Sequence, residues 1–184
     1  MKYKVIGIGG AGRNILNALI ASGFDRSCTL NIDTDINAKS ASKAPFLQIG
    51  KDMCKGRGSV KTCIGLIAAK ESEDYIISEL CDAETIVLTA GLGGGCGTSV
   101  IKYISKLALD KNVKTFAFVT IPAEFEPKHR KEIADACIAS LRKILTNNIE
   151  VISILTSTAL STVFDATDKE IVRRIQDRLI LKNM

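Results

Sequence analysis

A glycine-rich segment in the middle of the chain, Gly91–Thr98, has five glycines within seven positions. Glycines let backbone N–H groups converge on an anion because no β-carbon stands in the way. The segment directly follows Thr85–Ala90, an apolar run that is typical of a buried strand. No lysine follows the glycines, so the P-loop pattern G-x-x-x-x-G-K-[ST] is not satisfied. These residues predict a phosphate-binding loop at the end of a strand.

A second glycine motif, Gly7–Gly12, satisfies G-x-G-x-x-G between a predicted strand and a predicted helix. Asp33 lies 21 residues past Gly12, where a dinucleotide-binding fold has its ribose-binding acid. The same glycines suit a mononucleotide phosphate loop, since the start of a helix offers free N–H groups and a positive dipole end. A third interpretation is that they merely pack the helix against the strand. The motif alone leaves these alternatives open.

The elements around these motifs alternate between β-branched apolar runs and amphipathic helical patterns. Strands are predicted at 4–8, 29–32, 45–49, 85–90, 115–121 and 149–155, and helices at 14–22, 62–81, 99–110, 128–145 and 168–181, with a basic loop at 51–61. This alternation predicts an α/β fold, with a three-layer, Rossmann-like, mostly parallel sheet and helices on both faces. We expect a single domain over residues 1–184. Both glycine motifs fall at carboxyl ends of strands, where such sheets bind ligands.

Composition narrows the function classes. A net charge of +5, with 46% hydrophobic and 24% charged residues, is ordinary for a globular protein. The absence of Trp and of a dense Lys/Arg tract argues against nucleic-acid binding. No apolar run approaches the ~20 residues that span a bilayer, and no secretion signal is evident. Six cysteines without a CxxC pair, and one His, predict no zinc site. We therefore expect a cytoplasmic protein that binds neither nucleic acid nor membrane.

Four segments carry a specific resemblance. Gly91–Ser99 (GLGGGCGTS) resembles the tubulin signature loop G-G-G-T-G-[ST]-G, in the form found in FtsZ, the bacterial cell-division homologue. Val5–Asn17 (VIGIGGAGRNILN) is similar to the first phosphate loop of FtsZ, and Asp33–Asp35 stands where FtsZ has Asn-Thr-Asp. Thr120–Arg130 resembles its T-x-P-F-x-F-E-G-x-x-R segment. The similarity runs in order from residue 4 to about residue 155 and is loose afterwards.

The resemblance implies a site for GTP or GDP and a set of residues that contact it. That set is Gly9, Gly10, Ala11, Asn14, Asp33, Gly58, Gly91, Gly93, Gly94, Gly95, Cys96, Gly97, Thr98, Glu126, Arg130, Phe164 and Asp168. Magnesium is expected only through the phosphates, with Asp35 as the protein contributor.

Two pairs in this set have specific implied roles. By the resemblance, Glu126 accepts from the ribose hydroxyls and Arg130 lies over the sugar and base. From the residues alone, the same pair would be interpreted as an (i, i+4) ion pair on a helix, worth a few tenths of a kcal/mol. The resemblance also places Phe164 and Asp168 at the guanine base, with a carboxylate facing N1–H and the exocyclic amine. Asp168 equally suits an acid at the start of a helix, where it interacts with the dipole.

This sequence departs from the FtsZ pattern at several positions. Cys96 replaces a threonine of the signature, Ser99 replaces a glycine, and Gly58–Lys61 replaces an Ala-Gly run near the terminal phosphate. Thr156 stands in place of the usual Asn near the base. FtsZ also continues into a second domain, reached through a loop with N-x-D-x-x-D, whose carboxylates polarise the attacking water. That loop and domain are expected to be absent here, and with them the group that positions the nucleophile.

The resulting expectation is a GTP- or GDP-binding, FtsZ-like protein with weak or partner-dependent hydrolysis, acting in or on filament assembly. Its partners would be itself or a full-length FtsZ-type protein, and it would not form FtsZ-type filaments alone. The alternative is a regulator or oxidoreductase that binds NAD or FAD at Gly7–Gly12. The chain has no recognisable group for hydride transfer.

Overall fold

The sheet is described by a computed structural model that covers residues 2–154 and 160–180. Six strands pair in the order β3-β2-β1-β4-β5-β6, and every pairing is parallel. The strands are β1 (Tyr3–Ile8), β2 (Thr29–Asp33), β3 (Phe46–Gln48), β4 (Thr85–Gly91), β5 (Lys114–Ile121) and β6 (Ile149–Ser153). The predicted α/β class and parallel sheet are confirmed.

Seven α-helices of the described residues cover the two faces of this sheet. They are α1 (Gly9–Ala21), α2 (Lys51–Cys54), α3 (Thr62–Glu71), α4 (Glu73–Cys81), α5 (Gly95–Asp110), α6 (Lys128–Leu145) and α7 (Leu160–Ile180). The core under α1 and α7 is one apolar cluster, and the core under α3, α4, α5 and α6 is another. Neighbouring residues of β1 divide between them, because Val5 joins the first cluster while Ile6 and Ile8 join the second. The three predicted layers are therefore present.

Among the described helices, none combines the length and apolar character that crossing a lipid bilayer requires.

Helix starts differ from the sequence prediction. Helix α1 begins at Gly9, where Asn14 was the predicted start, and α5 begins at Gly95, where about Ser99 was expected. The reason is that Gly10 and Gly12 of the first motif, and Gly95 and Gly97 of the second, already lie within the helices, although glycine by itself favours turns. Helix α7 likewise begins at Leu160, ahead of the predicted Asp168.

Three further boundaries needed correction. The predicted helix 62–81 is two helices, separated at Ser72, whose hydroxyl accepts a 3.0 Å hydrogen bond from the Gly50 N–H. The predicted loop 51–61 contains the short helix α2, flanked by left-handed residues Gly50 (φ 64°) and Lys55 (φ 49°). Strands β3 and β6 are shorter than predicted, and Leu155 lies outside the described residues.

Strand order brings the two glycine motifs together. Strands β1 and β4 are neighbours, with Ile8 paired to Ala90 in the register. Each glycine motif runs from the end of its strand into the first turn of α1 or α5. Both helix N-termini therefore lie side by side at the carboxyl edge of the sheet.

Candidate functional site

A cavity of about 650 Å³ opens at this carboxyl edge. Both glycine motifs line it, together with residues from the ends of β2 and β5, the 58–59 loop and one side of α7. Its position follows from the topology, because parallel strands end at the same edge and their connections diverge there.

The helices that point into the cavity both begin without a side-chain cap. The residues before them, Ile8 and Gly94, make no capping hydrogen bond, and neither first turn contains an acid. Helices α2, α3, α4 and α6 also begin without a side-chain cap, so the feature specific to α1 and α5 is that both N-termini line the cavity. In both helices, no side chain at the cap position accepts from the backbone N–H groups of the first turn, and no acid of that turn offsets the positive end of the helix dipole. This arrangement suits an anionic ligand such as a phosphate chain.

In the first motif two of the four glycines serve packing. A β-carbon at Gly7 would lie 2.5 Å from the carbonyl oxygen of Gly12, and one at Gly12 would lie 2.7 Å from the carbonyl oxygen of Thr89. These two glycines therefore let α1 lie directly on the sheet. At Gly10 a β-carbon would meet nothing within 4 Å. Gly10 is thus open towards the cavity, where a ligand could approach its backbone.

The second motif follows the same division. A β-carbon at Gly95 would lie 2.1 Å from the carbonyl oxygen of Ser59, and one at Gly97 would lie 2.4 Å from that of Gly91. Gly94 is open, with the Arg130 guanidinium as the nearest group at 3.7 Å. Gly95 is therefore explained by packing against the loop at Ser59, and Gly97 by packing against the end of β4. No such packing explains Gly94, whose backbone is left accessible to a ligand.

Two residues predicted to wrap the phosphates do not line the cavity. Gly93 has a left-handed backbone (φ 92°), and its N–H donates to the Thr98 hydroxyl at 2.9 Å. Thr98 is buried. The hydrogen bond between these two residues stabilises the shape of the loop outside the cavity lining. The other residues of the predicted set do line the cavity: Gly9, Gly10, Ala11, Asn14, Asp33, Gly58, Gly91, Gly94, Gly95, Cys96, Gly97, Glu126, Arg130, Phe164 and Asp168.

Arg130 and Glu126 form the ion pair that the residues alone would suggest, with 2.6 Å between Arg130 Nη1 and Glu126 Oε2, although Glu126 precedes α6 and only Arg130 lies on the helix. Glu126 also accepts from the Ala123 N–H at 2.9 Å, and the Arg130 Nε donates to the Gly93 carbonyl at 3.3 Å. The pair therefore anchors the loop after β5 to the second glycine motif. The exposed part of Arg130, 40% of its side chain, supplies positive charge to the cavity wall.

The end of β2 forms the floor of the cavity. Burial raises the pKa of Asp33, although its carboxylate accepts from the Asp35 N–H at 3.2 Å. Cys96 lies beside Asp33, and burial together with this carboxylate raises the pKa of the thiol to about 12. The thiol is therefore neutral at physiological pH. Thr34 accepts at 2.8 Å from the Ser59 N–H, which ties the 58–59 loop to the same strand.

Helix α7 closes the other side of the cavity through Phe164 and Asp168. These residues are four positions apart and so share a helix face. Burial, and secondly the charge of Asp165, raise the pKa of Asp168 to about 6. Phe164 is 47% exposed and presents an aromatic surface. Thr156, the other residue expected near the base, lies outside the described residues.

Sequence reasoning missed part of the lining. The missed residues include Arg13, Asn37, Ala38, Leu92, Ile154 and Thr167. Arg13 follows the first glycine motif and donates to the Asn14 side chain at 3.1 Å, so it orients that amide. Its charge next to a phosphate loop was a usable signal. Leu92 lies inside the second glycine motif, while Asn37 and Ala38 lie in a 3-10 turn and Thr167 lies on α7; only the tertiary structure brings these last three to the cavity.

Comparison with known proteins identifies the family. Residues 2–153 match the model of the Tubulin/FtsZ family, GTPase domain. The chain belongs to this family. Within the described part, the match covers the whole sheet and both glycine motifs, and the predicted resemblance is confirmed.

Individual relatives agree. The chain is 36% identical to the cell division protein FtsZ of Bartonella bacilliformis over 77% of its length, and 31% identical over its whole length to that of Magnetospirillum gryphiswaldense. An empty FtsZ dimer of M. jannaschii superposes with a TM-score of 0.86 and 29% identity over 95% of the chain. CetZ2 from Haloferax volcanii, solved as a GTPγS-bound protofilament, has a TM-score of 0.82 over 95% of the chain. Its 22% identity shows the shared fold alone.

The chain spans 24% and 34% of the two curated relatives and 53% of the M. jannaschii structure. The tubulin/FtsZ assignment does not favour the dinucleotide-binding alternative. The structure agrees, since the second glycine motif lines the same cavity as the first, and a dinucleotide fold does not require it.

Proposed function

We propose that this chain binds GTP and GDP in the cavity between its two glycine motifs. The observation that carries the proposal is the pair of uncapped helix N-termini, α1 and α5, which lie side by side and both line the cavity. Two such ends, with Arg13 and Arg130 beside them, suit a polyphosphate better than a single phosphate.

The proposed orientation places the phosphates at Gly10 and Gly94 and the base at α7. Phe164 would stack on the base, and the ionised Asp168 would accept from the guanine N1–H and exocyclic amine. Adenine offers the opposite donor–acceptor arrangement, so this carboxylate would reject it. Asp35 offers one carboxylate oxygen to a magnesium ion held by the phosphates, because its other oxygen accepts from the Asn37 N–H at 2.9 Å.

Calorimetric titration with GTP, GDP, ATP and NAD tests this proposal. We expect GTP and GDP to bind at least about tenfold more tightly than ATP, because mismatched donors and acceptors leave polar groups unpaired. NAD binding that outcompetes GTP would overturn the assignment. The variant Asp168→Asn removes the carboxylate proposed to face the base. Asp52→Asn is its matched control, since Asp52 is exposed and does not line the cavity.

We also propose that the chain hydrolyses GTP slowly by itself and faster with a partner. Phosphoryl transfer needs a group that orients the attacking water. The carboxylates lining the described cavity have other roles: Asp33 is buried, Asp35 caps a turn and Glu126 pairs with Arg130. Asp168 lies at the proposed base end. A full-length FtsZ-type protein would supply the missing group.

Phosphate release measured with and without a full-length FtsZ-type protein tests this second proposal. We expect a low rate for the chain alone that is proportional to its concentration, and a higher rate with the partner. Rapid turnover by the isolated chain would contradict it.

The rim of the cavity supports a role in or on filament assembly. Two exposed apolar side chains are next in sequence to residues that line it: Val60 (86% exposed) follows Ser59, and Phe125 (60%) precedes Glu126. Exposed apolar side chains beside a binding site are typical of interaction surfaces, and these two would contact an FtsZ-type subunit. Adding the chain to assembling FtsZ should change filament length in electron micrographs, and Val60→Asp with Phe125→Asp should remove the effect. Unchanged filaments with the unmodified chain would contradict this role.

A further inference from the structure

An apolar groove lies on the outer helical face, away from the nucleotide cavity. Its volume is about 370 Å³, and Leu66 of α3, Tyr103 of α5 and Ile144 of α6 line it. Leu66 is 37% exposed, and its neighbour Ile67 is 46% exposed. Contiguous apolar surface that is open to solvent is typical of an interaction site.

The groove has a basic edge. Lys102 and Lys106 also line it, four positions apart on one face of α5. Neither lysine forms an ion pair with any carboxylate in the described part of the chain. An apolar groove with two unpaired ammonium groups is complementary to an apolar side chain flanked by a carboxylate.

Helix α4 presents such a combination. Tyr75 is 65% exposed, and Asp74 beside it is exposed without an ion pair to any described residue. Helix α4 lies next to the groove, because its Glu73 carboxylate accepts a hydrogen bond from the Tyr103 hydroxyl of the groove wall. Helix α4, which carries Asp74 and Tyr75, and the groove are therefore adjacent on one molecule.

We propose that two copies of this chain form a dimer in which Tyr75 of each copy enters the α3–α5 groove of the other. Asp74 then pairs with Lys106 across the interface. Adjacent complementary surfaces favour a two-fold arrangement, since one axis forms both contacts at once and closes the assembly. Tyr and Lys side chains at such a contact combine apolar burial with charge pairing. The dimer uses neither glycine motif, so it is independent of bound nucleotide and of the function proposed above.

Sedimentation velocity without nucleotide, over about a hundredfold range of concentration, tests the dimer. We expect a shift from monomer to dimer as concentration rises, with no larger species. Tyr75→Ala should weaken association at least about tenfold, because a buried tyrosine at the centre of a contact is typically a dominant residue. Lys106→Glu should weaken it similarly, since it places two carboxylates together.

The decisive variant combines Lys106→Glu with Asp74→Lys, which reverses both charges of the pair and should restore dimerisation. Lys111→Glu is the matched control, because Lys111 directly follows α5 and does not line the groove. Thermal unfolding of each variant verifies folding, which we expect since Tyr75 and Lys106 are exposed. A chain that remains monomeric, a dimer insensitive to Tyr75→Ala, or a double variant no better than Lys106→Glu would each overturn the proposal.

Discussion

The two glycine motifs look different in sequence but are built alike. Gly7–Gly12 and Gly91–Gly97 each contain glycines whose β-carbon would collide with backbone, and each contains one whose β-carbon would meet nothing closer than 3.7 Å. The open ones are Gly10 and Gly94. Most of the glycines therefore hold two helices close to the sheet and to each other, and the cavity needs few of them directly.

This division differs from the simplest interpretation of the sequence, in which five glycines within seven positions all serve the ligand. Gly95 packs against Ser59 and Gly97 against Gly91, so their conformational cost has a structural reason. A ligand role is left for Gly94 and for the free N–H groups of the first turn of α5. The glycines that pack the helices and the glycines that leave room for a ligand are therefore different residues.

The largest expected effect is at the packed glycines. In Gly95→Ala the new methyl group would lie 2.1 Å from the Ser59 carbonyl oxygen, which neither backbone can easily accommodate. We expect destabilisation of at least about 3 kcal/mol, the upper range for overpacking, and poor soluble expression. Urea denaturation measures the change. Gly12→Ala should behave similarly, since its methyl group would meet Thr89.

The matched control for Gly95→Ala is its neighbour Gly94→Ala, where space is open. If Gly95→Ala unfolded at the same urea concentration as the unmodified protein, the packing explanation of this motif would be wrong.

The open glycines should show the opposite pattern. We expect Gly10→Ala and Gly94→Ala to weaken GTP binding by at least about tenfold, because a methyl group enters the space proposed for the phosphates. Gly10 lies within α1, so alanine there should also stabilise the fold by about 0.5 kcal/mol. Calorimetry and urea denaturation measure the two effects. Weaker folding together with unchanged GTP binding would reverse the assignment of both residues.

The base end can be tested through pH. Because the pKa of Asp168 is raised to about 6, GTP affinity should be constant above pH 7 and fall as pH drops below 6. Binding of GTP at several pH values measures this. Asp168→Asn should remove the pH dependence and weaken binding by about tenfold or more, as expected for losing a hydrogen bond to a charged group.

Ionisation of Asp168 has the opposite effect on folding stability from its effect on GTP affinity. A carboxyl group whose folded pKa lies above its unfolded value near 3.8 makes the fold less stable as pH rises from about 4 to about 6. Asp168→Asn should therefore stabilise the ligand-free protein at pH 7, as seen in its melting temperature. A destabilised variant would show that Asp168 has a structural partner rather than a ligand role.

The smallest expected effect concerns Cys96. Its burial and its pKa of about 12 keep the thiol neutral, so alkylating reagents should leave it unmodified at pH 7. Cys63 and Cys81 are exposed and should react first. Mass spectrometry of the alkylated protein checks the order. Early modification of Cys96 would mean that the second glycine motif opens in solution.

The sequence alone was enough to predict the sheet. Apolar β-branched runs such as Thr85–Ala90 and Thr115–Ile121 are long enough to indicate buried strands, and parallel order follows from the intervening helices. The place of the site also followed, since both glycine motifs come directly after strands. Most of the predicted residues line one cavity for that reason.

Other features depend on contacts distant in the chain. The sequence of the motif does not distinguish Gly94 from Gly95. Only Gly95 packs against the Ser59 carbonyl, which belongs to a loop distant in the chain. Thr98 is a different case, because its hydroxyl accepts from the Gly93 N–H within the same motif and its side chain lies outside the cavity lining. The break at Ser72 is set by the Gly50 N–H.

Hydrogen–deuterium exchange with and without GTP tests whether both glycine motifs form one nucleotide site. We expect GTP to protect the backbone amides of residues 9–14 and of residues 94–98 together, and NAD to protect neither segment at the same concentration. Protection of the first segment alone, or stronger protection by NAD than by GTP, would contradict it.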